Sequence, residues 1–101
     1  MPAAYVILHN QVTDPGLYAQ YLEQVPPSMR KHGAELLVID DDAECIEGTK
    51  PYPRTVMLRF PSRDAVKAWY NSPEYREIYP LRANSSEGFA VICDELVRPT
   101  E

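Results

Sequence analysis

The sequence predicts an α+β domain whose chain runs β-α-β-β-α-β, folded as a four-stranded antiparallel sheet with helices on one face. Three observations carry that expectation. Stretches rich in β-branched and aromatic residues alternate with stretches whose apolar residues recur every three or four positions. The 101 residues suffice for a single core that buries about 60 to 65% of the unfolded surface, so residues 1–101 are read as one domain. Ten prolines, about twice the ~5% background, mark the borders of these stretches.

The first strand spans Ala3 to Val12, with Ala4, Val6 and Leu8 on one side and Tyr5 and Ile7 on the other. A strand apolar on both sides reads as central. Thr13, Asp14 and Pro15 then form a helix start, a cap residue followed by a proline whose missing N–H costs nothing there. Leu17, Tyr18, Tyr21, Leu22 and Val25 supply the apolar stripe, and Pro26 with Pro27 must break the helix. Ser28 to His32 can resume as a short piece that Gly33 stops. Ala34 to Ile39 is the second strand, and Ala43 to Glu47 is expected to continue it past an acidic kink at Asp40–Asp42. Gly48 to Pro53 is a turn or loop. Arg54 to Phe60 is the third strand, setting Val56, Leu58 and Phe60 against Thr55, Met57 and Arg59. Ser62 caps a second helix that packs through Ala65, Val66 and Trp69. Ser72 and Pro73 repeat the signal, opening a short helix from Glu74 to Tyr79. Pro80 to Ser86 is expected to be irregular, Gly88 to Asp94 to be the fourth strand, and Arg98 to Glu101 to be a tail. This order is the split β-α-β, or ferredoxin-like, arrangement.

Ten basic residues against fifteen acidic give a net charge of −5, which makes nucleic acid an unsuitable partner. No basic run precedes an apolar one at the N-terminus, and Ala3 to Leu8 falls far short of the roughly 20 residues that span a bilayer. Neither a signal peptide nor a membrane partner is expected. Cys45 and Cys93 show no metal-ligand spacing and sit among strand-like residues, so buried reduced thiols, and with them the cytoplasm, are the expectation. A sheet covered by helices on one face alone should alternate apolar with polar. The first and fourth strands do not, because Tyr5, Ile7, Phe89, Val91 and Cys93 add a second apolar face. A second copy of the chain, sheet against sheet about a two-fold axis, is the expected cover.

Several side chains are candidates for chemistry. His9 ends the first strand on the side of Tyr5 and Ile7, where it reads either as a proton-exchanging group or as a hydrogen-bonded strand end. Arg59 points away from Leu58 and Phe60 and needs either a carboxylate, such as Glu47 or Glu95, or an anionic ligand. Tyr21 and Trp69 read as core aromatics or as the wall of a cleft for a small aromatic or acyl compound. Tyr75 and Arg82 flank the kinked segment after Pro73 and suit a pocket lid whose arginine pairs with a carboxylate. The Asp40 to Glu47 cluster lacks the glycine and terminal glutamate of a calcium loop. No phosphate loop, serine-nucleophile motif or zinc-ligand motif occurs, so no metal and no cofactor are expected.

Taken together, Tyr5–Ile7, Val12–Pro15, Tyr18 with Tyr21, Glu47-Gly48, Met57–Ser62, Ala68–Tyr75 and Arg82 resemble the "domain of unknown function 1330" family across nearly the whole chain. The most specific part is Ala68-Trp69, two residues on Ser72-Pro73-Glu74-Tyr75, and Arg82 seven positions later. The chain departs from the pattern at Lys31–Gly33 and lacks a glycine after the last strand, neither of which touches the fold. The resemblance implies the dimeric α/β-barrel superfamily. It also implies a choice between a small cofactor-independent enzyme, monooxygenase- or isomerase-like, acting on a small organic acid or aromatic compound near His9, Tyr21 or Arg82, and a metabolite-binding or structural dimer without catalysis. Asn10 with Trp69 is loosely similar to the haem-degrading branch, but no histidine follows Trp69, so haem is not expected.

Overall fold

The computed structural model describes residues 2–97, so the expected tail from Arg98 lies outside the described residues. Its elements run β1 (Ala4–Val12), α1 (Pro15–Gln24), α2 (Pro26–Lys31), β2 (Glu35–Asp40), β3 (Arg54–Phe60), α3 (Arg63–Tyr70), α4 (Pro73–Ala83) and β4 (Ser86–Asp94). All neighbouring strands are antiparallel, in the order β2-β3-β1-β4. The ferredoxin-like topology follows, with β1 central as its two-sided apolar pattern requires.

Local chemistry sets the helix ends. Asp14, Ser62 and Ser72 each stand at an N-cap and accept from the backbone N–H three residues on, at 3.1, 3.1 and 3.2 Å, satisfying donors that a first helical turn leaves free. Gly33 (φ +76°) closes α2. Its N–H donates to the Arg30 carbonyl and that of Ala34 to the Met29 carbonyl, the paired bonds of a left-handed C-terminal cap.

Strand alternation builds the core. Ala4, Val6 and Leu8 of β1 and Val56, Leu58 and Phe60 of β3 lie beneath the helices, meeting Tyr21 and Val25, Val66 and Trp69, and Tyr75 and Ile78. Opposite-parity residues face away: Tyr5, Ile7 and His9 are flanked by Arg59, Met57 and Thr55 on one side and by Cys93, Val91 and Phe89 on the other. Phe89 and Val91 remain almost half exposed. The helix-side face is therefore packed along β1 and β3, while the opposite face is open.

Four expectations are corrected. The second helical piece begins at Pro26 rather than Ser28, because proline fits the first turn of a helix and Val25, itself helical, links the two. Ala43 to Glu47 forms no strand and leaves Cys45 in a loop, where its thiol donates to the carbonyls of Glu47 and Gly48. Cys93 stands on the open sheet face, so both cysteines are exposed rather than buried. Finally, α4 passes through Pro80 to Ala83. One backbone bond is forfeited there, but the turn beyond is held by Asn84 N–H on the Pro80 carbonyl at 2.9 Å and by the Ser85 hydroxyl on the Leu81 carbonyl. No helix of the described residues is long and apolar enough to cross a membrane.

Gly88 (φ +152°) lies opposite Asn10 in the β1–β4 ladder. A Cβ there would run into the His9 carbonyl oxygen and come within 2.8 Å of the Asn10 Cβ. Gly88→Ala is expected to lower unfolding free energy by about 2 kcal/mol or more, the range for forcing a side chain into a glycine-only conformation. Urea denaturation checks this, and a variant as stable as the parent contradicts the close approach.

Candidate functional site

A cleft of about 860 Å³ lies between the helical layer and the sheet. Apolar side chains make most of it, including Val6, Leu8, Val56 and Leu58 from the sheet floor and Val25 and Met29 above. Its polar lining is one-sided. Tyr18, Tyr21, Tyr70, Tyr75 and Tyr79 offer phenols, Arg30, Arg54, Lys67 and Arg82 offer cations, and among the described residues no aspartate, glutamate or histidine lines the wall. In a chain of net charge −5, that segregation is electrostatically selective for anions. Among the described residues the lining holds none of the usual protein ligands for a metal ion, His, Cys, Asp and Glu.

The centre of the cleft is a relay of three groups. Tyr75 and Arg82 lie seven residues apart on α4, two turns and therefore one face, and Arg82 Nε donates to the Tyr75 hydroxyl at 3.3 Å. The Tyr75 hydroxyl lies 2.9 Å from that of Tyr21 on α1. One hydrogen bond joins the two phenols, with either as donor, so with Arg82 donating to Tyr75 one phenol proton of the pair is left for a further acceptor. Burial, reinforced by Tyr75 beside it, pushes the Tyr21 phenol far above its ordinary value, so it stays a hydrogen-bond donor at physiological pH. Burial works against the charge on Arg82, but its tyrosine neighbours outweigh it and the guanidinium stays firmly cationic. Among the described residues no carboxylate pairs with Arg82.

Trp69 holds this relay in place. Its ring centroid lies 4.2 Å from that of Tyr75 and 5.3 Å from that of Phe60, and its Nε1–H donates to Ser28 Oγ at 3.1 Å. At the rim, the Arg76 guanidinium sits 4.3 Å over the Tyr70 ring and 4.4 Å over the Tyr79 ring. Burial raises the Tyr70 phenol, yet hydrogen bonds from Tyr79 and Arg76 outweigh it and lower the phenol below its ordinary value.

The predicted site residues thus divide into two groups. Tyr21, Trp69, Tyr75 and Arg82 come together in the cleft, whereas His9 and Arg59 lie on the open face of the sheet. His9 Nδ1 is 3.0 Å from Thr55 Oγ1, and its ring lies 5.5 Å from that of Phe89. Arg59 pairs with Glu35 at 3.6 Å rather than with Glu47 or Glu95, and a hydrogen bond with Tyr5 chiefly raises its pKa. Tyr75 and Arg82 belong to a continuous helix and not to an irregular lid. Arg54 and Tyr18 also line the cleft and were not singled out from the sequence. The signal for Arg54 was parity, because positions 54, 56, 58 and 60 share one side of β3.

The family model described as "Domain of unknown function (DUF1330)" matches residues 3–96. No curated protein matches the sequence. Among solved structures, the chain is similar to the methylated RPA0582 protein from Rhodopseudomonas palustris, with TM-score 0.81, 14% identity and coverage of 98% of this chain and 84% of that one. It is also similar to SnoaB, a cofactor-independent oxygenase from Streptomyces nogalater, with TM-score 0.65, 10% identity and coverage of 99% and 97%. A dimeric ferredoxin-like protein of unknown function from Jannaschia sp. CCS1 aligns with TM-score 0.65, 14% identity and coverage of 94% and 99%. At these identities the likeness concerns the fold.

The buried Tyr21 phenol makes stability depend on alkaline pH. An unfolded chain releases this proton near 10.0, the ordinary value, while the folded chain retains it. The stability it contributes is complete below that pH and is lost as pH rises beyond it. Thermal melts of the parent should fall more steeply above that pH than melts of Tyr21→Phe. Parallel slopes for the two proteins would show that Tyr21 is not held protonated.

Proposed function

The chain belongs to the DUF1330 family, and we propose that its cleft binds a small aromatic acid in anionic form and acts on it without a cofactor. The observation that carries this reading is the Arg82 guanidinium at the end of the Tyr75–Tyr21 relay, which among the described residues has no carboxylate partner and lies in a cleft with no acidic side chain in its lining. A desolvated cation without a carboxylate is costly, and an incoming carboxylate or phenolate relieves it with charge-assisted hydrogen bonds. The apolar remainder and the surrounding tyrosines suit a flat ring. Within such a site Arg82 holds the anion and Tyr21 donates to its oxygen, the arrangement that stabilises negative charge as it develops during oxygenation or tautomerisation. Among the described residues the cleft wall has no carboxylate or imidazole to serve as a base, so the substrate is one that ionises readily by itself, and His9, beyond the sheet, takes no part. The fold shared with the cofactor-independent oxygenase SnoaB supports this class of chemistry.

The open sheet face belongs to the same proposal. Phe89 and Val91 stand exposed beside Ile7 and Met57, and burying each such side chain is worth roughly 1.5 to 3 kcal/mol. A second copy of the chain covers them, in keeping with the dimeric ferredoxin-like relative.

Two measurements test these readings. In a thermal-shift screen of small carboxylic acids, phenols and quinones, 2-naphthoate and related aromatic acids are expected to raise the melting temperature of the parent but not of Arg82→Ala. Equal shifts for both proteins, or none for either, would overturn the assignment. Sedimentation at micromolar concentration should give a dimer, and a monomer there sinks the self-association.

A further inference from the structure

The cleft has a second cationic pole, away from Arg82. Arg54 begins β3 on the side facing the helices and is only 7% exposed. Its Nη1 donates to the Tyr18 hydroxyl at 2.6 Å, and its Nε to Asp41 Oδ1 at 2.9 Å. Two of the five guanidinium N–H groups are thereby engaged. The Tyr18 hydroxyl also receives Asn10 Nδ2 at 3.4 Å, so two donors converge on this oxygen. Among the described residues its own proton has no acceptor. Nearby, Asn10 Oδ1 is buried without a partner, so the polar group at this end is incompletely satisfied, an unusual state for buried atoms. Asp41 is the only carboxylate on Arg54 among the described residues, and its side chain is 83% exposed. So exposed a carboxylate can return to solvent without being stranded as a buried charge, and a carboxylate arriving within the cleft can take its place on Arg54. Tyr18 and Tyr21, one turn apart on α1 with ring centroids 5.8 Å apart, join the two poles with a continuous aromatic wall.

Resting on the reading of the cleft as an anion site, we propose that its ligand is an aromatic compound with two acidic groups, one held by Arg82 and Tyr21 and the other by Arg54 and Tyr18, the second displacing Asp41. The second pole is then a specificity device: a monoacid fills the cleft, and a diacid is preferred.

Calorimetric titration with 2-naphthoate and 2,6-naphthalenedicarboxylate tests this. The parent is expected to bind the diacid on the order of tenfold more tightly, as befits one further charge-assisted contact. Asp41→Asn, a change at an exposed position, should widen that preference by freeing Arg54, and Arg54→Gln should abolish it. Binding of 2-naphthoate with no preference for the diacid in either the parent or Asp41→Asn overturns the second pole alone. Loss of both ligands in a folded Arg54→Gln overturns it too, by showing that the arginines serve one group. If neither compound binds the parent, the anion-site reading falls together with it.

Discussion

The Trp69 side chain is the contact on which the arrangement of the helices depends. Its indole N–H donates to Ser28 of α2, and Ser28 Oγ in turn donates to the Val25 carbonyl at the α1–α2 junction. Its ring meets Phe60 of β3 and Tyr75 of α4. One side chain from α3 therefore touches α2, α4 and the sheet floor, and reaches the α1–α2 junction through Ser28. A buried indole without a hydrogen-bond partner is costly, so the geometry around Ser28 is constrained as well as packed. Tyr75 inherits its position from this contact, and through it the spacing to Tyr21 and Arg82 is set.

A second constraint is geometric. Four strands have two faces, and the helices of one chain lie against one of them. The covered face grips α3 tightly, yet between α1, α4 and the sheet the packing leaves a cleft lined by phenols and cations. The open face carries the histidine, the paired Arg59 and a band of apolar residues. On the proposed reading each face has its own task, ligand chemistry between the layers and self-association outside them. His9 is turned to the open face by its parity along β1, while Arg82 sits on α4 over the other face, which is why the two, both attractive as isolated side chains, do not lie in one site.

Much of this was readable in the sequence. Strand β3 and the caps at Asp14, Ser62 and Ser72 follow from local chemistry that does not wait for tertiary structure. The apolar surplus of β1 and β4 announced a sheet with two claims on it. What escaped the sequence depended on longer range. Pro80 looked like a helix end because its local cost is visible, whereas the bonds that carry α4 past it are made by Asn84 and Ser85 beyond. Cys45 resembled a strand residue only while the loop around it was taken for a strand. Arg54 was overlooked despite sharing a side with Val56 and Leu58, because a charge in an apolar row looks like an edge until Tyr18 and Asp41 are brought to it by other elements. Arg59 attracted attention instead, and the nearest carboxylate across the β2–β3 ladder is Glu35, a pairing that depends on a bulge at Leu37.

The account's central claim is that a ligand enters between helices and sheet, and the chain's single tryptophan offers a direct reporter. In a nitrogen–proton correlation spectrum, titration with 2-naphthoate is predicted to shift the Trp69 indole Nε1–H and the backbone amides of Tyr21, Tyr75 and Arg82, while those of His9, Met57 and Cys93 stay in place. Shifts confined to the open face of the sheet, with the indole signal unmoved, would contradict it.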